Sequence, residues 1–272
     1  NDMPFFYHFC YSIFLRLYYC TAYVLSFFQK KAYLWIDGRR ELTSLLSNRD
    51  LTGCLWFHAS SLGEFEQVSF VIEKIKETYP HEKILVSFFS PSGYEMRKNF
   101  KYADAVIYLP FDFKKDVRQF LEIIRPKIVI WVRYEFWYHT LSEIKKRGIP
   151  LYLLNGVFRD RVSCLYRPIL IRSLSCFSKI FVINEASKSI VAKFGYSAIL
   201  LPDTRYDRVH SISNKPFEDS IISDFCSGDL KVVVCGSTWP RDEFYIKEVI
   251  SSDTKWIIVP HEINQRHLDF IA

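Results

Sequence analysis

The chain has 272 residues, 49% of them hydrophobic and 17% aromatic, which is enough for one packed domain and part of another and too apolar for disorder. Its formal net charge of +6 is mild, and no basic stripe interleaves with aromatics, which argues against nucleic acid as a partner and fits contact with anionic lipid or phosphorylated substrates. The seven cysteines (Cys10, Cys20, Cys54, Cys164, Cys176, Cys226 and Cys235) are scattered without a C-x-x-C spacing, so they read as reduced thiols of a cytosolic compartment.

Residues 4–28 are almost wholly apolar and aromatic, broken by His8 and Arg16 and followed by Gln29-Lys30-Lys31. A bilayer needs about 20 apolar residues, so the length suffices to span, although Arg16 near the middle is expensive there. The tyrosine and phenylalanine load suits an interfacial helix equally well, with Arg16 snorkelling, and a buried helix packed on the domain is a third reading. Membrane attachment through an anchor over 1–32 is preferred, and the lysine pair would place the rest of the chain on the cytoplasmic side. No basic start or small-residue cleavage site marks a signal peptide.

From residue 54 onward strand and helix patterns alternate. Apolar runs at 55–57, 84–88, 105–109, 128–132, 151–154, 180–183 and 199–201 predict strands, and helical periodicity falls at 64–77, 94–100, 115–124, 137–147, 165–176 and 186–194. Apolar strands separated by amphipathic helices predict a parallel sheet covered on both faces, an α/β Rossmann-like domain over 33–207. The polar stretch 208–229 reads as a linker. A second series then opens with a strand at 231–235, a helix at 241–250, a strand at 256–259 and a helix that runs out. Residues 230–272 are therefore expected to begin a second Rossmann-like domain that is cut short.

Several strand-to-helix turns carry chemistry-bearing residues. In His58-Ala-Ser-Ser-Leu-Gly-Glu64 a strand feeds a helix whose N-terminus lies at the carboxyl edge of the sheet, where open α/β folds bind ligands. Ser61 and Glu64 have the spacing of a capping box, with Glu64 reaching back to the Ser61 N–H. The same carboxylate, kept ionised by a helix N-terminus, also suits a catalytic base. Ser90-Pro-Ser-Gly93 is a second such turn, able to offer N–H and hydroxyl donors or simply to open a helix at Pro91. Arg133-Tyr-Glu-Phe-Trp-Tyr-His139 sets Glu135 among aromatics beside an imidazole, either a platform for sugar or acyl chain or a buried helix start. Gly236-Ser-Thr238 resembles a phosphate cradle but is no P-loop. His261 and His267 are six apart, too far for ligands on one helix face, so no metal is expected there.

These motifs, together with Tyr108-Leu-Pro-Phe-Asp112, Arg125-Pro126, Asp203-Thr-Arg-Tyr-Asp207 and Pro260-His261, occur in the order seen in 3-deoxy-D-manno-octulosonic acid (Kdo) transferases of lipopolysaccharide synthesis, which the chain resembles over nearly its whole length. The resemblance implies a GT-B glycosyltransferase on the cytoplasmic face of the inner membrane. Such an enzyme moves Kdo from CMP-Kdo to a lipid A precursor with inversion and without a metal or other cofactor. It implies Glu64 as general base and Glu135 as a second essential carboxylate. Ser61, Gly63, Ser90, Ser92 and Gly93 would lie on the acceptor side, and Ser237, Thr238, His261 and Arg266 on the donor side. Many members carry a carboxylate where Arg133 stands, and the family's later donor-binding segments would fall beyond Ala272. Another lipid-directed GT-B enzyme with a different activated sugar, or a non-catalytic lipid-binding remnant, are the alternatives.

Overall fold

The computed structural model describes residues 5–40, 42, 46, 49–133, 135–160, 163, 166–214, 216, 218–261 and 263–271. Two compact units divide the chain, Asn1–Ser213 and Asn214–Ala272.

In the first unit, strands β1 (Leu55–Ala59), β2 (Ile84–Phe88), β3 (Ala105–Tyr108), β4 (Ile128–Val132), β5 (Leu151–Gly156), β6 (Lys179–Val182) and β7 (Ile199–Leu200) form one sheet in the order β3-β2-β1-β4-β5-β6-β7. Every pairing is parallel. The two-residue period of a strand sends alternate side chains to opposite faces. Trp56 thus joins one apolar core, with Trp131, Phe120 and Leu121, while Leu55 and Phe57 join the other, with Phe65 and Val68. Helices α3 (Leu62–Thr78), α4 (Pro91–Arg97), α5 (Lys114–Ile124), α6 (Tyr138–Lys146), α7 (Arg167–Leu174), α8 (Glu185–Lys193) and α9 (Arg205–Ser213) alternate with the strands. Helix α5 shows why: Val117, Phe120, Leu121 and Ile124 are all buried, the i, i+3, i+4, i+7 stripe of a core-facing helix.

The predicted α/β plan holds, with shifts at element ends. The helix expected over 94–100 begins at Pro91, because Ser90 caps it and proline is at home in a first helical turn. The helix expected over 165–176 is described over Arg167–Leu174, and Cys164 and Leu165 lie outside the described residues. The stretch read as a linker contains the second half of α9, and a further helix, α10 (Ser220–Cys226), lies in it. Neither helix buries a residue, so neither has the apolar stripe that would have announced it. Helix α9 is instead tied to α3 by charge, through Arg208 Nη1 to Glu73 Oε1 at 3.1 Å.

Before the sheet come α1 (Phe5–Leu25) and α2 (Lys30–Arg40), the latter absent from the sequence expectation. Tyr11 and Leu15 of α1 are buried and pack with Trp35, Ile36, Phe111, Tyr138 and Ile169. The other face of α1 presents Phe6, Phe9, Phe14, Leu17 and Val24 to the outside, and Phe27 and Phe28 continue this patch. Among the described residues no helix is long and apolar enough to cross a membrane. The Tyr11 hydroxyl anchors α1 deep in the domain and accepts from the Tyr138 N–H at 3.2 Å. Buried Asp112, just beyond β3, accepts at Oδ2 from the Tyr11 hydroxyl (2.6 Å) and the His139 N–H (2.9 Å). Its Oδ1 accepts from the Thr140 N–H (2.7 Å) and hydroxyl (2.6 Å). Asp112 therefore serves as a cap, supplied from a distant loop, for the otherwise orphaned N–H groups that open α6.

The second unit pairs β8 (Lys231–Thr238) with β9 (Thr254–Pro260) in parallel, and α10, α11 (Pro240–Val249) and α12 (Gln265–Ile271) accompany them. Strand β8 runs three residues past its predicted end, through a register shift between Gly236 and Thr238, where Ser237 takes a left-handed φ of 60°.

Candidate active site

The chain builds β1, β2 and β3 outward in one direction and then returns to lay β4 on the other side of β1. The loops leaving the carboxyl ends of β1 and β4 therefore diverge, and ligand crevices of open α/β sheets lie at such a reversal. Glu64 follows β1 and Glu135 follows β4. Both sequence-predicted carboxylates thus converge on one crevice.

Ser61 occupies the N-cap of α3 with extended backbone, but its side chain makes no cap bond. Glu64 does turn back, yet its Oε2 accepts from the Ser60 N–H at 2.7 Å, one residue earlier than a capping box requires. The carboxyl is half-buried. Burial pushes it above the ordinary glutamate range, the Ser60 N–H and Arg133 pull it back, and Glu135 pushes it further up. Glu135 is likewise raised by burial and lowered by the Ser60 side chain, by the Trp137 indole, which donates to Oε2 at 3.3 Å, and by the Arg39 guanidinium. Arg39, on α2, donates to the carbonyls of Leu109, Trp35 and Phe89 (2.8, 2.7 and 3.0 Å) and stacks 4.0 Å over the Trp35 ring. Burial lowers even this guanidinium to about 9.

Glu135 also lines a groove of about 490 Å³, together with Phe6, Cys10 and Phe14 of α1 and with Trp137, Tyr166 and Ile169. Apolar side chains surround a single carboxylate there, the lining expected for a ligand with one polar end. His139 does not serve Glu135 as an imidazole partner. It is buried, stacks on His8 at 4.9 Å between ring centroids, and burial lowers it to about 3, so it stays neutral. His58 is neutral for the same reason, also lowered to about 3, with Nδ1 2.9 Å from the Ser87 hydroxyl.

The Ser90 turn is joined to the Glu64 turn by the Ser90 N–H, which donates to the Ser60 carbonyl at 2.8 Å. The Ser90 and Ser92 hydroxyls are 2.9 Å apart at the mouth of α4. Gly63 and Ser92 are exposed, whereas Gly93 is buried, and a Cβ there would fall 2.3 Å from Cδ1 of the fully buried Phe88. Gly93→Ala is accordingly expected to lower the unfolding free energy by about 1–3 kcal/mol through overpacking, read as a reduced midpoint in urea.

A polar network absent from the sequence expectation backs Glu64. Gln67, one turn along α3, accepts at Oε1 from Arg133 Nε (3.0 Å) and Asn155 Nδ2 (3.1 Å). Asn155 also donates to the Thr204 hydroxyl at 2.7 Å. Arg133 Nη2 lies 3.9 Å from Asp203, which holds Arg205 through Nη2 at 2.7 Å. Arg133, directly after β4, and Asn155, next to last in β5, are in left-handed backbone, with φ of 68° and 55°. No spacing rule marks such residues; a polar residue directly after an apolar run is the only hint.

In the second unit, Ser237, Thr238 and His261 meet at the carboxyl edge of β8 and β9. The Ser237 hydroxyl is 2.9 Å from His261 Nδ1, the His261 N–H donates to the Thr238 carbonyl at 2.8 Å, and Trp239 stacks on the His261 ring at 4.3 Å. The Thr238 hydroxyl is turned inward, donating to buried Glu243 at 2.9 Å. Arg266 is exposed on α12. Glu262 lies outside the described residues, and among those described no cluster of His, Cys, Asp or Glu could hold a metal ion.

This arrangement has relatives. A bifunctional glycosyltransferase/methyltransferase of Fusobacterium nucleatum is 28% identical over 233 residues, covering 79% of this chain and 34% of that protein. A 3-deoxy-D-manno-octulosonic acid transferase of Chlamydia trachomatis serovar A is 27% identical over 236 residues, 79% of this chain and 52% of the relative. One from Aquifex aeolicus is 33% identical over 111 residues, 40% of this chain and 30% of its own length. The chain thus spans about half the length, or less, of these relatives. The UDP-GlcNAc 2-epimerase of Neisseria meningitidis, solved with UDP-GlcNAc bound, matches with a TM-score of 0.56 over 80% of this chain and 67% of that one, at 13% identity. That likeness shows a common GT-B-like α/β fold and nothing more. Residues 35–208, well over half of the chain, match the family described as 3-Deoxy-D-manno-octulosonic-acid transferase (kdotransferase), and the protein belongs to that family.

Proposed function

We propose that the complete protein transfers Kdo from CMP-Kdo to a hydroxyl of a lipid A precursor, with Glu64 as general base. The observation that carries this reading is the pair Glu64 and Glu135 at the sheet's reversal point, with Glu135 among the residues lining an apolar groove walled by α1. Glu64 takes the proton of the acceptor hydroxyl as its oxygen attacks the anomeric carbon of Kdo. The new C–O bond forms as the bond to the CMP phosphate oxygen breaks, and CMP leaves with that electron pair. A single displacement inverts the anomeric centre. Glu135 orients the acceptor sugar, helped by Ser61, Gly63 and the Ser90, Ser92 and Gly93 turn. Ser237, Thr238, His261 and Arg266 belong to the donor side.

The outward apolar face of α1 supports a helix lying on the cytoplasmic surface of the inner membrane, because apolar patches of this kind mark membrane or protein contact. An acyl chain of the acceptor would then pass from that surface into the groove. Cys10→Trp, which fills the groove, is expected to raise KM about 10-fold for an acylated acceptor and to leave a deacylated one unchanged. The reading as a whole is tested by CMP release from CMP-Kdo, with lipid A precursor in vesicles and a panel of other nucleotide sugars. A gain of Kdo mass on the lipid supports it. Transfer from a different donor assigns the protein to another lipid-directed glycosyltransferase, and no transfer from any donor overturns it.

A further inference from the structure

We infer that Arg133 is a positioning residue whose guanidinium, fixed against the first turns of α3 by Gln67 and Asp203, supplies the positive field in which the Glu64 carboxylate works. The inference rests on the reading of Glu64 as a base and names what keeps that base usable. A base near two sources of destabilisation needs a cation. Glu64 is half-buried and shares its crevice with Glu135, and both circumstances favour the protonated acid. Acting on it from the packed elements are the Ser60 N–H and side chain from the β1 turn, Glu135 from the β4–α6 loop and Arg133 from the end of β4. Arg39 of α2 acts on Glu135. Arg133 is the cation in this set, and its Nε reaches Gln67 Oε1, one turn along α3 from Glu64.

Its placement is built rather than incidental. A non-glycine residue in left-handed backbone is strained, and the strain persists where surrounding structure over-determines it. At Arg133, with φ of 68°, the N–H donates to Leu154 O at 2.9 Å and Nε donates to Gln67 Oε1 at 3.0 Å. Gln67 is three residues along α3 from Glu64, on the same helix face. Asp203 faces the guanidinium from the other side at 3.9 Å, but Arg205 already engages that carboxylate through Nε and Nη2 at 3.0 and 2.7 Å. Arg205 therefore shares the Asp203 carboxylate with Arg133.

The test is a carboxyl titration by NMR of the chain with 13C-labelled glutamate, with the Glu64 resonance assigned from its loss in Glu64→Gln. Arg133→Gln and Arg133→Gly are each expected to move the Glu64 midpoint upward, and Arg133→Lys to hold it near the unaltered value. The glycine variant suits the left-handed backbone, so a folding defect in one variant is separable from the loss of charge. An unmoved midpoint in both Arg133→Gln and Arg133→Gly overturns the inference, as does an equal rise in Arg133→Lys, which would trace the effect to packing. Because the titration needs no substrate, it is independent of the base assignment. If Glu64 has no part in transfer, the midpoint still shifts; if it is a base without help from Arg133, transfer depends on Glu64 and the midpoint stays put.

Discussion

In the role proposed for Glu64, Glu64→Gln in the complete protein is expected to lower kcat about 10²- to 10⁴-fold, the usual worth of a general base, with KM for both substrates little changed. The substitution is close to isosteric. The amide oxygen it introduces can still accept from the Ser60 N–H, the 2.7 Å contact that turns the side chain back over the mouth of α3. What the amide lacks is a lone pair basic enough to take the acceptor's proton. The pH dependence gives a second signature. Burial first, and then Glu135, raises the Glu64 carboxyl above the ordinary glutamate range, against the pull of the Ser60 N–H and Arg133. A base works when ionised, so kcat/KM climbs as pH rises through that raised value, and its acid limb lies above that of a free carboxylate. Initial rates of CMP release between about pH 4 and 8 would show both effects. Unaltered turnover in Glu64→Gln would remove the residue from the reaction.

Asp112→Ala is expected to cost about 3–5 kcal/mol of unfolding free energy, since it strands four buried donors at about 1–3 kcal/mol each before water and side chains adjust. Asp112→Asn should cost less. Its carbonyl oxygen can keep the two Thr140 donors, and the Tyr11 hydroxyl can reverse to accept from the new NH2, but the His139 N–H is left facing a second donor. Burial also pushes the Asp112 carboxyl up to about 6, against the pull of its hydrogen bonds. An unfolded aspartate titrates near ~3.9, so between that value and about 6 the folded chain holds the proton more tightly than the unfolded one. The stability contributed by this group is therefore greatest below that window and falls as pH rises through it. Urea midpoints measured against pH should show this slope in the parent chain and not in Asp112→Asn. Equal midpoints for all three proteins would mean the buried carboxylate carries no weight.

Legibility in the sequence followed the kind of force at work. Strands buried on both faces announce themselves as apolar runs, and the run at residues 84–88 coincides with β2 (Ile84–Phe88) to the residue. Glu64 was legible because an apolar run, a small-residue turn and a helical stripe together put it at a sheet edge. The bond it makes was misread by one position, because cap spacing does not record how the turn bends. Helix α9 was missed because charge rather than apolar periodicity holds it, as Arg208 and Glu73 show. The role of Asp112 was out of reach. Its donors arrive from Tyr11, 101 positions away, and from Thr140, 28 positions on, and no local pattern joins them. Arg133 stood in a noted motif, but its part depends on a left-handed backbone and on Gln67, and neither leaves a trace in the letters.

The double grip of Asp112, on Tyr11 and on the opening of α6, has a practical consequence. Glu135 sits in the short loop between β4 and α6, so whatever loosens the N-terminal helix also loosens the support of that loop. A shortened chain starting near residue 35, where the family match begins, would keep every candidate acid, base and sugar-binding group. It would nonetheless lose the Tyr11 bond and the groove wall built by Phe6, Cys10 and Phe14. Anyone trimming the protein for solubility should therefore expect Glu135 to lose its support, and should trace any loss of the proposed turnover in that form to this loosening before assigning it to missing chemistry.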